Sequence, residues 1–199
     1  MGKTNIRYLI RISLLLILLI SLNPIAGQER GVILGVGMSN FTGSEPGEQY
    51  RSVPGISLGA YLTTPITKKT SLKFTVLVMN KGALISSVGD LYLHNVLIYA
   101  GSPIHLTSKL LDLGSFVIDG ELGMMPSLLI LGINDLGLME NIHRWDIGLL
   151  AGISINHSAA RLCLQVDQGL RKLLPGEAID NRNRTYTAIF ALPIKWSKE

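Results

Sequence analysis

The chain has 199 residues, of which 47% are apolar and only 16% charged, with 21 glycines and a single cysteine. That length suits one domain, the lone Cys163 excludes an internal disulfide framework, and so few charges would cover a water-soluble surface thinly. The formal charge of +4 is mostly a property of the first residues, and it requires neither an acidic partner nor nucleic acid.

Residues 1–27 have the layout of a cleaved secretory signal. Lys3, Arg7 and Arg11 precede an apolar core, ISLLLILLISL, which Asn23-Pro24 breaks before Ile25-Ala26-Gly27. The core is about half the length of roughly 20 residues that a membrane-spanning helix needs. The competing reading is an uncleaved anchor. Removing the segment takes three of the 18 cationic residues and none of the 14 acidic ones, leaving 15 against 14, a formal charge of +1. The basic character is therefore a targeting signature, and 28–199 form the mature domain. No cysteine follows the core, so no lipid anchor is expected.

The mature chain repeats with period two, the signature of strands with unlike faces. In 32–39 the apolar row is Val32, Leu34, Val36 and Met38; in 56–63 it is Ile56, Leu58, Ala60 and Leu62. In 72–81, Leu72, Phe74, Val76 and Val78 face one way, Lys73, Thr75 and Lys81 the other. Segment 91–101 alternates less well and pairs either way. In 116–124, Phe116, Ile118, Leu122 and Met124 oppose Asp119 and Glu121; in 145–155, Trp145 to Ile155 oppose Asp146 and two glycines. Segment 160–166 sets Leu162, Leu164 and Val166 against Arg161, Cys163 and Gln165, and 186–196 carries the unbroken row Tyr186, Ala188, Phe190, Leu192, Ile194, Trp196. No segment offers a further membrane helix.

The connections alternate in length. Links 65–69 and 157–159 are short, 102–111 is intermediate, and 42–53, 82–89, 126–143 and 173–183 are mostly longer. With the mature N-terminus on the export side, the shorter links all fall in the periplasm, an asymmetry of transmembrane barrels. The fold expected is all-β: an eight-stranded antiparallel up-and-down transmembrane β-barrel with short periplasmic turns and longer extracellular loops. Segment 126–140 is unusually apolar for a loop; a rim helix, a docking surface and an extended strand are all open.

Alternation then assigns the charges. Apolar side chains meet lipid, so Asp119 and Glu121 face the lumen, where ionised carboxylates need cationic partners. Lys73 and Arg161 supply them, with Arg171 as a further candidate, and Asp146 and Asp167 join the same polar core. An eight-stranded barrel is filled by its side chains, so this network is structural. A catalytic carboxylate pair and a metal site are weaker readings, since no histidine stands at a convincing spacing; neither a catalytic residue nor a cofactor is expected. Phe74, Tyr99, Phe116 and Trp196 near the periplasmic ends, with Trp145 and Tyr186 near the outer ends, resemble interfacial girdles; the alternative is that aromatics fill a soluble core.

The segments GVILGVGMSNF, PGISLGAYLTTPITKKTSLKFTVLVMNKGA, LYLHNVLIYAGSP, RWDIGLLAGISI and LCLQVDQGLRKLLP together resemble the PorT-like outer-membrane β-barrel family of Bacteroidetes, over nearly all of the mature chain. Val96 stands where that family has a proline, and three polar residues follow Trp196. The resemblance implies an eight-stranded barrel without catalytic residues, and a link of some members to secretion machinery or gliding. The function expected is a non-enzymatic outer-membrane module in contact with lipid and lipopolysaccharide, with an envelope or secretion protein as partner and no nucleic acid. One alternative is a soluble periplasmic or secreted barrel that binds an apolar ligand, with the row 186–196 inside. The other is a small lipid-modifying enzyme, suggested by Asn156-His157-Ser158-Ala159, although adjacent residues on a strand face opposite sides.

Overall fold

A computed structural model of the chain describes residues 28–42, 50–86, 92–139, 142–172 and 182–194. The signal segment 1–27 and Trp196 lie outside the described residues. Eleven strands are present: β1 (Glu29–Thr42), β2 (Tyr50–Arg51), β3 (Val53–Pro65), β4 (Thr70–Ser86), β5 (Tyr92–Gly101), β6 (Ile104–Asp112), β7 (Val117–Asn134), β8 (Gly137–Leu138), β9 (Trp145–His157), β10 (Ala160–Gly169) and β11 (Arg182–Pro193). There is no helix among the described residues.

These strands make eight staves of a closed antiparallel barrel. Strand β1 pairs with the last strand, β11, from Gly31↔Pro193 to Thr42↔Arg182, which closes the sheet. The staves follow chain order, β1, β3, β4, β5–β6, β7, β9, β10 and β11, each hydrogen-bonded to its predecessor. The two-residue strands β2 and β8 only extend the walls of β4 and β7. Closure leaves the sheet no free edge along its length, which removes the usual route to edge-to-edge aggregation.

Strands β5 and β6 are one stave, a correction to the link expected at 102–111. Pro103 has no N–H to give the ladder, yet its carbonyl accepts the Thr75 N–H at 2.9 Å, and the Ser102 N–H donates to the Pro126 carbonyl at 2.9 Å. The register against β4 is therefore unchanged across the break, from Leu77↔Gly101 to Phe74↔Ile104. The turn expected earlier sits instead at 113–116, where Gly114 takes a φ of +79° that a side chain would disfavour.

Strand β7 likewise runs through the first half of the link expected at 126–143. The apolar segment from Pro126 is barrel wall as far as Asn134, so the extended-strand reading is the one realised. A bulge sits between the pairs Ile98↔Leu131 and Tyr99↔Leu129, with Ile130 as the extra residue. Such an insertion switches which residues face inward, and it explains why Leu129 and Gly132 are both buried.

The connections 66–69, 113–116 and 158–159 lie at the end that also carries the start of β1 and the end of β11; this is the turn end. Strands β1, β4, β7 and β10 end, and β3, β5, β9 and β11 begin, at the opposite, loop end. The barrel is inverted relative to a water-soluble protein. Outward positions are apolar and open, with Leu58 65%, Leu122 66% and Leu164 60% exposed, while Lys81, Glu121 and Asp167 are at most 2% exposed. The row Tyr186, Phe190, Leu192 lies outside, which overturns the ligand-cavity alternative that placed it inside.

Candidate functional site

The lumen holds the chemistry. Strand alternation sends one residue in two inward, so β4 delivers Lys73, Thr75, Leu77, Met79 and Lys81 along a single line, all of them buried. Lys73 and Lys81 are separated along that strand by roughly 26 Å at about 3.3 Å per residue. They organise two polar clusters, not the single network expected from the sequence. Between the clusters lies an apolar belt that includes Leu77, Met79, Met125, Leu150, Cys163 and Ile189.

The turn-end cluster is built on an ion pair between Lys73 Nζ and Glu121 Oε2. Both side chains are buried, so each offsets part of the cost of desolvating the other. Arg161 Nε donates to Asn156 Oδ1, and Asn156 Nδ2 donates to Asp119 Oδ2 at 2.8 Å, so Asn156 joins Arg161 to Asp119. Arg161 also lies 3.9 Å from Glu29, whose carboxylate accepts the Tyr61 hydroxyl at 2.9 Å. His105 is buried within this cluster, and neither ring nitrogen has a protein partner.

The loop-end cluster pairs Lys81 Nζ with Asp167 Oδ2. The same ammonium stands 5.5 Å from the centroid of the Tyr99 ring, a cation–π distance. Asn183 Nδ2 donates to the Tyr99 hydroxyl at 3.2 Å. Asp146 is also buried here and accepts the Arg171 backbone N–H at 3.4 Å.

Of the residues expected to line the lumen, Lys73, Asp119, Glu121, Asp146, Arg161 and Asp167 all point inward, divided between the two clusters. Arg171 does not; it lies past the end of β10, is exposed, and turns its guanidinium to the Trp145 carbonyl at 3.4 Å. The network expected from the sequence leaves out Lys81, although that residue is placed on the face of Lys73, and it leaves out His105 and Asn183. Lys81 shares the parity of Lys73, and that period-two spacing was the signal available for it.

Among the expected interfacial aromatics, Phe74, Phe116, Trp145 and Tyr186 are exposed on the outer surface. Tyr99 is not: it is fully buried in the lumen. Its stave does not end at Gly101 but continues to Asp112, so Tyr99 is neither outward nor close to the turn end.

The His157-Ser158 pair lies at the β9–β10 turn with both residues exposed. The His157 ring lies against Phe116, centroids 5.2 Å apart and planes at 38°. Among the described residues, no group of three or more His, Cys, Asp or Glu side chains is placed to hold a metal ion.

No family model matches the sequence, and no curated protein matches it. Solved structures do match in fold. Ail, the attachment invasion locus protein of Yersinia pestis, solved with the heparin analogue sucrose octasulfate, is 12% identical over 84% of this chain and 99% of its own, with a TM-score of 0.50. Neisserial surface protein A is 14% identical over 83% of this chain and 98% of its own, also at 0.50. The outer membrane enzyme PagL is 9% identical over 81% and 99%, at 0.43. At these identities the likeness is one of architecture: this chain folds as the eight-stranded barrel found in outer-membrane proteins.

Proposed function

We propose that the protein is an integral outer-membrane barrel with a filled lumen, exported by residues 1–27, that serves the cell envelope as a structural or interaction module and carries out no catalysis. The observation that carries this reading is the inversion of polarity between the two faces of the wall. A continuous apolar exterior is stable only against lipid or another apolar surface, and charged pairs in the lumen are what an inward-polar barrel provides. The placement of both described chain ends at the turn end agrees with insertion from the periplasmic side.

Lipid, including lipopolysaccharide, surrounds the wall in this reading. Its protein partner is an envelope or secretion component, as the PorT-like resemblance implies, and it uses no cofactor. The filled lumen distinguishes the role from that of a pore. Reconstituted in vesicles, the barrel should hold back an encapsulated small dye as well as protein-free vesicles do. Rapid dye loss would identify an open channel instead. Alanine at His157 and at Ser158 should leave the acylation of lipid A in the host membrane unchanged; a changed acyl pattern would point to the lipid-modifying enzyme.

A further inference from the structure

We infer that the loop-end half of the lumen binds a monovalent alkali cation between Asp146 and Asp167. The first argument is charge. Asp146 and Asp167 are 4% and 2% exposed, and the ammonium of Lys81 pairs with Asp167 alone. Among the described residues, Asp146 receives the Arg171 backbone N–H, at 3.4 Å, and no cationic side chain, while the Arg171 guanidinium turns outward to the Trp145 carbonyl. Among the described residues, two buried carboxylates against one buried ammonium leave a single negative charge, and a buried charge is costly without a counter-ion. One monovalent cation neutralises the cluster; a divalent ion would overshoot.

The second argument is the shape of the site. Gly148 on β9 and Gly169 on β10 are direct register partners. Asp167 Oδ1 lies 1.9 Å from where a Cβ on Gly148 would stand, and Asp146 Oδ2 lies 2.9 Å from where one on Gly169 would stand. Each carboxylate therefore reaches across onto the neighbouring strand, over a floor of paired glycines where a side chain would displace it.

The third argument is donor chemistry. Asp167 Oδ1, the oxygen that Lys81 does not use, is buried without a protein hydrogen-bond partner, and so is the amide oxygen Oδ1 of Asn183, a residue with no exposed surface. The Asn183 backbone oxygen lies 3.1 Å from the same Gly169 Cβ position that Asp146 approaches. Carboxylate, amide and backbone oxygens are the ligands that hard cations take.

The test is thermal melting of the full chain folded in detergent, read by the gel shift between folded and heat-denatured forms. Sodium, potassium and N-methylglucamine chlorides are compared at equal ionic strength. Sodium or potassium should raise the melting temperature in a way that grows with concentration as site binding requires, and N-methylglucamine, too large for the lumen, should not. Asp146→Asn, which keeps the shape and removes the charge, should melt at one temperature in all three salts. If that variant fails to fold, Gly169→Ala, which crowds Asp146, should weaken the dependence. Identical melting of the parent protein in the three salts would overturn the proposal. So would a stability that follows pH and ignores the cation, which would give the compensating charge to a proton on Asp146.

Discussion

Asn183 on β11 donates its side-chain amide N–H to the Tyr99 hydroxyl on β5, 3.2 Å away across the lumen. The two strands are not neighbours in the wall, so the bond braces the barrel from within. Tyr99→Phe removes the hydroxyl and keeps the ring. It should cost about 1 kcal/mol, the usual net worth of such a bond, measured as a lower urea midpoint for unfolding from micelles. The variant should still enter membranes as the parent does. Alanine at Trp145 or Tyr186, both outward-facing, should show the opposite pattern: weaker partition into bilayers with little effect in micelles.

The Lys73–Glu121 pair gives a sharper test because both members are buried. Glu121→Leu alone leaves an unpaired ammonium buried in the lumen and should cost roughly 3–5 kcal/mol. The double variant Lys73→Met with Glu121→Leu should recover most of that loss, since a packed apolar pair is often neutral or better than the ions it replaces. A double variant as unstable as the single one would mean that Lys73 and Glu121 also hold other groups in place.

Glycines differ in what a methyl group would meet. A Cβ on Gly59 would lie 2.2 Å from the Val76 carbonyl oxygen, a backbone atom that cannot step aside. On Gly120 it would meet only the end of the Leu110 side chain, at 3.3 Å. Gly59→Ala should therefore lose about 1–3 kcal/mol through overpacking, and Gly120→Ala should stay close to the parent. Unfolding midpoints of the two variants, measured side by side, decide this.

The outward face predicts a dependence on depth. Leu164 is 60% exposed in mid-strand on β10. Leu164→Arg should cost roughly 2–4 kcal/mol of folding free energy in a bilayer, the range for a charge near the midplane. Leu136 is more exposed still but lies in the connection between β7 and β8, and Leu136→Arg should be neutral. Equal costs at the two sites would contradict a bilayer around the wall.

The parts of this fold that sequence reasoning reached, and those it missed, share one cause. Period two needs only the local chain, so the faces of β1, β3, β9, β10 and β11 were legible, and with them the inward direction of Glu121 and Asp167. The stretch 102–111 reads as a link, and it contains Pro103, a residue that normally ends a strand. Only the ladder shows that its carbonyl keeps the register and carries the stave on to Asp112. The place of Tyr99 follows from it: a stave that ends at Gly101 puts Tyr99 near the turn end, whereas this one runs on to Asp112 and the ring is buried in the lumen. The bulge at Ile130 breaks alternation, so an apolar strand resembled an apolar loop. The division of the charges into two clusters was beyond reach, because it depends on which acids of other strands lie level with Lys73 and Lys81 once the wall is closed, Glu121 of β7 with one and Asp167 of β10 with the other.

The most direct test of the account is fractionation of cells that make the protein, followed by electrophoresis of the membrane fraction with and without heating. A lipid-embedded barrel should stay in the outer membrane through carbonate extraction and migrate differently before and after boiling. Release by carbonate without detergent, with one mobility under both conditions, would contradict it, because an exterior as apolar as that formed by Leu58, Leu122 and Leu164 has no stable place in water.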